Sequence, residues 1–245
     1  LTPRLLAALV ASLVAVQPAL AQERSDTVIV SVNAGAQLET ARLDERISLE
    51  KYVETTPLEA MLGNQAVPVF DLGVTFHIAG GFGANVAFST LSDTGTANLR
   101  AEIPHPFYFD RRRDISGQVP NVRRQEQVFH TNVAYVIEGE ALDIVIAGGA
   151  SFFSVKQDFV TDVHFTEEFP FDTAVFTAAT LTRATASKTG FNASADLTWK
   201  INDAWGVGGL VRFSRARIPL TAGGIDFGTV DAGGVQAGGG LRLIF

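Results

Sequence analysis

The chain has 245 residues, a formal net charge of −7 and 47% apolar residues. An acidic balance carries no basic footprint for nucleic acid, and the lack of cysteine excludes disulfides, thiolate metal sites and cysteine nucleophiles together. No apolar run of about 18 residues follows the amino-terminal segment, so helical membrane spans are not supported.

The first 21 residues have the layout of a secretory leader. Arg4 gives the positive charge, Leu5 to Val16 an apolar core, and Ala19-Leu20-Ala21 a small-x-small cleavage site. The expected domain division is therefore a signal peptide at 1–21, cleaved after Ala21, and one barrel domain at 22–245. Position 22 is Gln, which excludes a lipoprotein anchor.

Eight segments with a period of two follow. The first covers about 27–38, with Val28, Val30, Val32, Ala34 and Ala36 opposite Ser31, Asn33, Gly35 and Gln37. The second (67–78) sets Phe70, Leu72, Val74, Phe76 and Ile78 against Val69, Asp71, Gly73, Thr75 and His77. The third (82–91) carries Phe82, Ala84, Val86 and Phe88 on its apolar face. The fourth (127–137) carries Phe129, Val133, Tyr135 and Ile137 opposite His130, Asn132 and Ala134. The fifth starts near Leu142, with Asp143 and Ser151 on the second face. The sixth ends near Ile201, with Phe191, Leu197 and Trp199 opposite Asn192, Asp196 and Lys200. The seventh starts near Trp205 and sets Val207, Val211 and Phe213 against Arg212 and Ser214. The eighth begins near Val230 and ends on Leu241-Arg242-Leu243-Ile244-Phe245.

Connections near 80, 139 and 202 are short; those at 39–66, 92–126, 153–189 and 215–229 are long. This alternation is expected of an all-β, eight-stranded antiparallel up-and-down transmembrane β-barrel, with short periplasmic turns and long extracellular loops. The alternating Val175, Thr177, Ala179 and Leu181 predict that the fifth and sixth strands extend past the membrane as a hairpin. A ten-strand count stays open, because strand boundaries are the least determined feature of such a pattern.

Aromatics choose between a soluble barrel and a membrane barrel. Phe70 and Phe76, Phe82 and Phe88, Phe129 and Tyr135, Phe191 and Trp199, and Trp205 and Phe213 are pairs six or eight residues apart on the apolar face. At about 3.3 Å per residue and a tilt near 40°, such spacing covers about 15–20 Å of height. Two aromatic girdles bracketing a lipid-facing band are expected, the lower one completed by Phe245.

The opposite face is small and polar. Asp71, His77, His130, Asp143, Asp196, Lys200, Arg212 and Arg242 are predicted to form a barrel-interior charge network. His77, Asp143, Lys200 and Arg242 fall toward the short-turn end, and Asp71, His130 and Arg212 toward the other. In a narrow barrel, opposite charges are expected to pair as a plug; the alternative is a narrow small-solute or proton path.

The leader, the alternation and the terminal Gly239-Gly240-Leu241-Arg242-Leu243-Ile244-Phe245 together resemble the small bacterial outer-membrane β-barrel superfamily, the barrel domains of OmpA, OmpX and OmpW type. Gly148-Gly149-Ala150-Ser151-Phe152-Phe153 and Gly190-Phe191-Asn192-Ala193-Ser194-Ala195-Asp196 read like its strand motifs. The resemblance implies a monomer in the cell outer membrane, lipid and lipopolysaccharide as surroundings, and recognition of Phe245 by the barrel-assembly machinery. It implies a structural or surface-interaction role, without catalysis, cofactor or metal.

Arg111, Arg112, Arg113, Arg123 and Arg124 are candidate contacts to lipopolysaccharide phosphates; the alternative is pairing with Asp110, Asp114 and Glu126. The runner-up class is a lipid A-modifying enzyme or protease working in the extracellular loops. His105 with Asp110, or His164 with Glu167 and Glu168, would supply the residue types, but their spacing matches no motif.

Overall fold

A computed structural model describes residues 28–38, 43–62, 66–222 and 224–245; the segment read as a leader lies outside them. Ten strands are formed: β1 (Val28–Gln37), β2 (Leu43–Lys51), β3 (Glu54–Leu62), β4 (Val67–Ala79), β5 (Phe82–Pro104), β6 (Arg112–Ile137), β7 (Leu142–Glu167), β8 (Ala174–Lys200), β9 (Trp205–Ala222) and β10 (Ile225–Ile244). All ladders are antiparallel. Eight strands close a ring in the order β1-β4-β5-β6-β7-β8-β9-β10, and β10 returns to β1. The seam is tied at its end by Phe245 N–H donating to Val28 O (2.9 Å) and Val28 N–H donating to Phe245 O (3.3 Å).

The three short turns lie where the sequence places them. Gly80 and Gly81 have φ of 58° and 83°, a left-handed pair suited to a two-residue hairpin turn. Asn202 Oδ1 accepts from the N–H groups of Ala204 and Trp205, both at 2.9 Å, and closes the 201–204 turn.

The long connections are mainly strand. β7 and β8 run on to Glu167↔Ala174, the extended hairpin that Val175, Thr177, Ala179 and Leu181 predict. β5 and β6 differ from expectation: instead of a loop over 92–126 they continue as one ladder to Pro104↔Arg112. The connection 39–66 contains the β2–β3 hairpin, which joins the ring from outside: β3 pairs with β5 through Leu58↔Ala101 to Leu62↔Ala97. The sheet therefore has ten strands and the ring eight.

Above the ring the wall divides. The β6–β7 ladder ends at Arg124↔Gln157, β8–β9 at Phe191↔Arg215, and β1–β10 at Gln37↔Gln236. What continues upward is a four-stranded sheet β2-β3-β5-β6 and two hairpins, β7–β8 and β9–β10. They pack on one another through an apolar interior. Leu58, Leu99, Ile103, Ile115 and Val119 of the sheet meet Val160, Val163, Phe165 and Phe176 of β7–β8. Gly117 lies directly against the Phe176 ring, with no room for a Cβ. A second cluster joins Phe153, Val155 and Phe159 of β7 to Ala216, Ile218 and Leu220 of β9. Phe159 stacks on Phe227 of β10 at 4.2 Å.

The two halves thus have opposite polarity. In the ring, Phe70, Phe82, Val133, Ile146, Trp199 and Val211 point out and are exposed. In the upper part, apolar residues point in. β9 does this without changing its period: Arg212 and Ser214 face inward below, then Ala216, Ile218 and Leu220; outside, Phe213 gives way to Arg215 and Arg217. β6 makes the change with a kink at Pro120-Asn121, where Asn121 has φ 63° and the ladder shifts register between Gly95 and Ala97. Burial then moves from even positions (Val122, Arg124, Glu126) to odd ones (Arg113, Ile115, Val119). A shift of one residue exchanges the two faces of a strand.

Candidate functional site

The ring encloses two chains of polar side chains. In the first, Arg242 donates from Nε and Nη2 to the two oxygens of Asp196 (3.0 and 2.8 Å) and from Nη1 to Asn33 Oδ1 (2.7 Å). Asn33 Nδ2 donates to Asp71 Oδ1 (3.1 Å), and Asp71 Oδ2 accepts from Arg212. Residues from β8, β10, β1, β4 and β9 are joined across the lumen. A guanidinium aimed at both carboxylate oxygens is the strongest geometry for such a pair.

The second chain contains no carboxylate, guanidinium or ammonium group. His130 lies between Ser89 Oγ (Nε2, 3.2 Å) and Ser151 Oγ (Nδ1, 2.8 Å). Asn192 Nδ2 donates to Ser151 Oγ (2.9 Å) and Asn132 Oδ1 (2.8 Å), Asn132 Nδ2 to Asn85 Oδ1 (2.9 Å), and Asn85 Nδ2 to Thr75 Oγ1 (3.0 Å). At the short-turn rim, Lys200 Nζ lies 3.0 Å from Asp143 Oδ2 and His77 Nδ1 2.9 Å from Glu138 Oε1. All eight residues of the expected interior network therefore face the lumen or its rim.

A third polar layer separates ring from head. Arg124 Nε and Nη2 donate to Glu126 Oε1 (2.8 and 2.5 Å), and Glu126 Oε2 accepts from Gly233 N–H (3.1 Å). Gln37 Nε2 donates to Gly233 O (2.9 Å), and Gln236 Nε2 to Gln37 Oε1 (3.0 Å). The Arg124–Glu126 pair is the alternative weighed for that arginine in the sequence; Gln37 and Gln236 stand on the expected inward faces but are not among the candidate residues. Nor are Ser89, Asn85 and Thr75.

The arginine cluster is dispersed. Arg113 and Arg124 are turned inward and buried beside Glu167 and Glu126, so neither can meet a lipid headgroup; a purely sequential cluster hides that alternate residues of a strand face opposite ways. Arg111 and Arg112 stand at the far tip, paired with Asp172 (2.7 Å) and Glu102 (3.1 Å). Of the five, Arg123 is the one that points outward near the ring.

Glu167 is the clasp of the head. Its Oε2 accepts from Arg113 Nη1 (2.6 Å) and its Oε1 from Tyr52 OH (2.5 Å) at the β2–β3 turn. Burial first, and then the neighbouring Glu167 carboxylate, hold the Tyr52 phenol above its ordinary pKa. Lys51 pairs with Asp162 at 2.8 Å. Burial opposes the charged form of Asp162, but Lys51 and the Val163 N–H outweigh it and keep the carboxyl below its ordinary pKa.

The two histidine groupings of the runner-up reading are not brought together among the described residues. His105 is buried; its Nδ1 accepts from Phe107 N–H (3.1 Å) and its ring lies against Tyr108 at 4.8 Å. His164 points outward and meets Thr180 Oγ1 (3.0 Å), whereas Glu167 on the same strand is engaged with Arg113 and Tyr52. Among the described residues, no group of three His, Asp or Glu side chains is arranged to hold a metal ion.

Outside the ring, Phe76, Phe82, Tyr135, Trp199, Trp205 and Phe245 gather at the short-turn end, and Phe70, Phe129, Phe191 and Phe213 at the other. Phe88 is half-buried in the same belt. Phe152, opposite Phe129 in the ladder with rings 6.5 Å apart, joins the upper set. A closed ring with an apolar, aromatic-edged exterior and a polar, paired interior defines a transmembrane β-barrel of the outer-membrane type.

No family profile matches the sequence, and no curated protein matches it. Solved structures do match. The outer-membrane protease OmpT from Escherichia coli is 10% identical with a TM-score of 0.50, over 93% of this chain and 99% of that one. Neisserial surface protein A is 7% identical with a TM-score of 0.48, over 91% of this chain and all (100%) of the other. The outer-membrane protein OprG from Pseudomonas aeruginosa is 7% identical with a TM-score of 0.46, over 89% of this chain and 96% of that chain. At such identities the likeness to OmpT is one of fold.

Proposed function

We propose that this chain is a non-catalytic surface protein of the bacterial outer membrane, in which a sealed barrel anchors an extracellular recognition head. The observation that carries the reading is the joint arrangement of lumen and head. Charged groups in the ring are paired with one another, while the hairpins beyond the lipid band pack into an apolar-cored body above it. A solute path needs a lining left free to take up water or solute, and the guanidinium–carboxylate chain from Asp196 to Arg212, which runs across the lumen, opposes one.

On this reading the short turns face the periplasm and the chain is exported through a leader cleaved after Ala21. Lipopolysaccharide phosphates meet the cations that point outward just above the upper aromatic belt: Arg123 and Lys156, with Arg215 and Arg217, which share the single carboxylate of Asp231 and so keep a net positive charge between them. The barrel acts as a monomer, and Phe245 is read by the assembly machinery.

The test combines fractionation with conductance. The protein is expected in the detergent-extracted outer-membrane fraction, with heat-modifiable gel mobility, and is expected to be silent in planar bilayers. Recovery in the soluble fraction, or steady wide-pore openings from the folded protein, would sink the proposal.

A further inference from the structure

The far end of the head displays aromatic side chains for which its own core has no place. Phe107 and Phe109 at the β5–β6 tip are 73% and 76% exposed, and Phe169 at the β7–β8 tip is 85% exposed; Tyr108 and, at the β2–β3 tip, Val53 are exposed beside them. The larger head aromatics on the strands, Phe153 and Phe159, are buried. The tips are therefore a second aromatic surface of the molecule, distinct from the barrel belt.

These aromatics are held together. Phe107 meets Phe171 edge-on at 5.4 Å, and Phe171 meets Phe169 at 6.0 Å. Beneath them the buried Arg113 donates to Pro104 O (2.6 Å) and Phe171 O (3.0 Å), joining the two tips by their backbones. Tyr52, through Glu167, brings the third tip alongside.

Position excludes the cell's own bilayer as the occupant. From Phe129 in the upper belt, β6 runs to Arg112 at the tip; at about 3.3 Å per residue and a tilt near 40°, that is on the order of 40 Å. The shaft between is polar outside, with Arg100, Ser116 and Gln118 exposed.

Charge narrows the partner. Arg111, Arg112 and Arg113 each have a carboxylate, from Asp172, Glu102 and Glu167. Asp110 and Glu168 add two further exposed carboxylates. An anionic partner would be repelled. Protruding aromatics, beside arginines that each already have a carboxylate, suit the headgroup zone of a zwitterionic bilayer, at whose acyl boundary Phe, Trp and Leu side chains insert.

We propose that the three tips form a docking site for the surface of an apposed zwitterionic phospholipid membrane. Phe107, Phe109 and Phe169 enter the headgroup zone, and attachment strengthens with the number of copies on the cell surface. This rests on the reading of the head as extracellular.

The test is flotation of the full protein, in nanodiscs, with phosphatidylcholine vesicles, against vesicles enriched in phosphatidylserine. The wild type is expected to float with phosphatidylcholine vesicles and to do so in high salt, since screening removes only charge-driven attachment. Phe107→Ser/Phe109→Ser/Phe169→Ser is expected to lose flotation to background while keeping heat-modifiable mobility, because these rings lie outside the core. Absence of wild-type flotation, flotation of the triple variant equal to wild type, dependence on phosphatidylserine, or attachment to cells that protease treatment of those cells abolishes would each overturn the proposal. A folded barrel in the outer membrane that does not float leaves the anchored-head reading standing; a soluble protein removes both.

Discussion

Arg242 and Asp196 form a two-point ion pair inside the ring, with Nε–Oδ1 at 3.0 Å and Nη2–Oδ2 at 2.8 Å and the guanidinium wholly out of solvent. Neither group is near the other in sequence; β8 and β10 carry them to the lumen from opposite sides of β9. The pair matters more when broken than when replaced. Asp196→Asn leaves a buried guanidinium without its counter-charge, and such losses cost about 3–5 kcal/mol. Chemical unfolding followed by tryptophan fluorescence should show that loss. The joint replacement Asp196→Leu/Arg242→Met should recover most of it; a double variant as unstable as the single one would count against electrostatic pairing as the cause.

The inward turn of Ile218 and Leu220 divides stability between ring and head. Both are fully buried among Phe153, Val155 and Phe159. Ile218→Ala is expected to cost about 2–5 kcal/mol, the range for large-to-small changes in a core. The cost should fall on the head: protease should cut the outer hairpins of the variant sooner, while the membrane-protected fragment persists unchanged. Loss of the fragment too would mean that ring and head unfold as one unit.

Gly117 tests how the β7–β8 hairpin is seated. Phe176 occupies the space a Cβ would need at that position. Gly117→Val should push the hairpin from the four-stranded sheet, and hydrogen exchange should rise over residues 158–182 while the 190–200 ladder keeps its protection. Unchanged exchange in the outer hairpin would show that the two sheets do not depend on this contact.

Much of this molecule was legible because one rule governs its lower half. Apolar residues out and polar residues in, with a period of two, located eight strands, three turns and the inward positions of Asp71, Arg212 and Arg242. In the head the alternation at Val175–Leu181 reached the β7–β8 hairpin, but the rest escaped because the rule reverses there. Arg215-Ala216-Arg217-Ile218-Pro219-Leu220-Thr221 alternates as cleanly as the strand before it, yet its apolar face is the inner one; read with the lower rule, it looks like a loop. Pro120-Asn121 adds a shift of face that no periodicity count can carry across. Arg113 and Glu167, 54 residues apart, meet only because two hairpins fold over the same interior. Contacts of that kind are set by how sheets pack, not by spacing along one strand.

The clasp at the β2–β3 tip should open from both ends of the pH scale. Asp162 has its pKa lowered when folded, so Lys51–Asp162 supports the folded hairpin above the ordinary carboxylate value of about 4 and is lost as pH falls through the lower folded value. Tyr52 has its pKa raised, so its bond to Glu167 is present below the ordinary phenol value of about 10 and is lost as pH rises through the higher folded value. Limited proteolysis at 43–62 should therefore be slow in between and faster outside. Asp162→Asn should remove the acid limb alone; a variant that keeps the full acid response would show that another group controls it.

Phe245 separates folding from assembly. Its backbone closes the barrel seam on Val28, and its ring stands exposed in the lower aromatic belt. Phe245→Ala keeps both backbone bonds and removes only the ring, so the purified variant should refold in detergent with wild-type heat-modifiable mobility. Deleting Phe245 removes the seam bonds as well, and refolding should then be less efficient. In cells the proposed recognition of the terminal aromatic makes a different demand: Phe245→Ala should accumulate unassembled in the periplasm despite its competence to fold. Normal insertion of Phe245→Ala in cells would show that the ring serves only as a lipid-interface anchor, and a refolding defect in detergent would assign the residue to the stability of the seam.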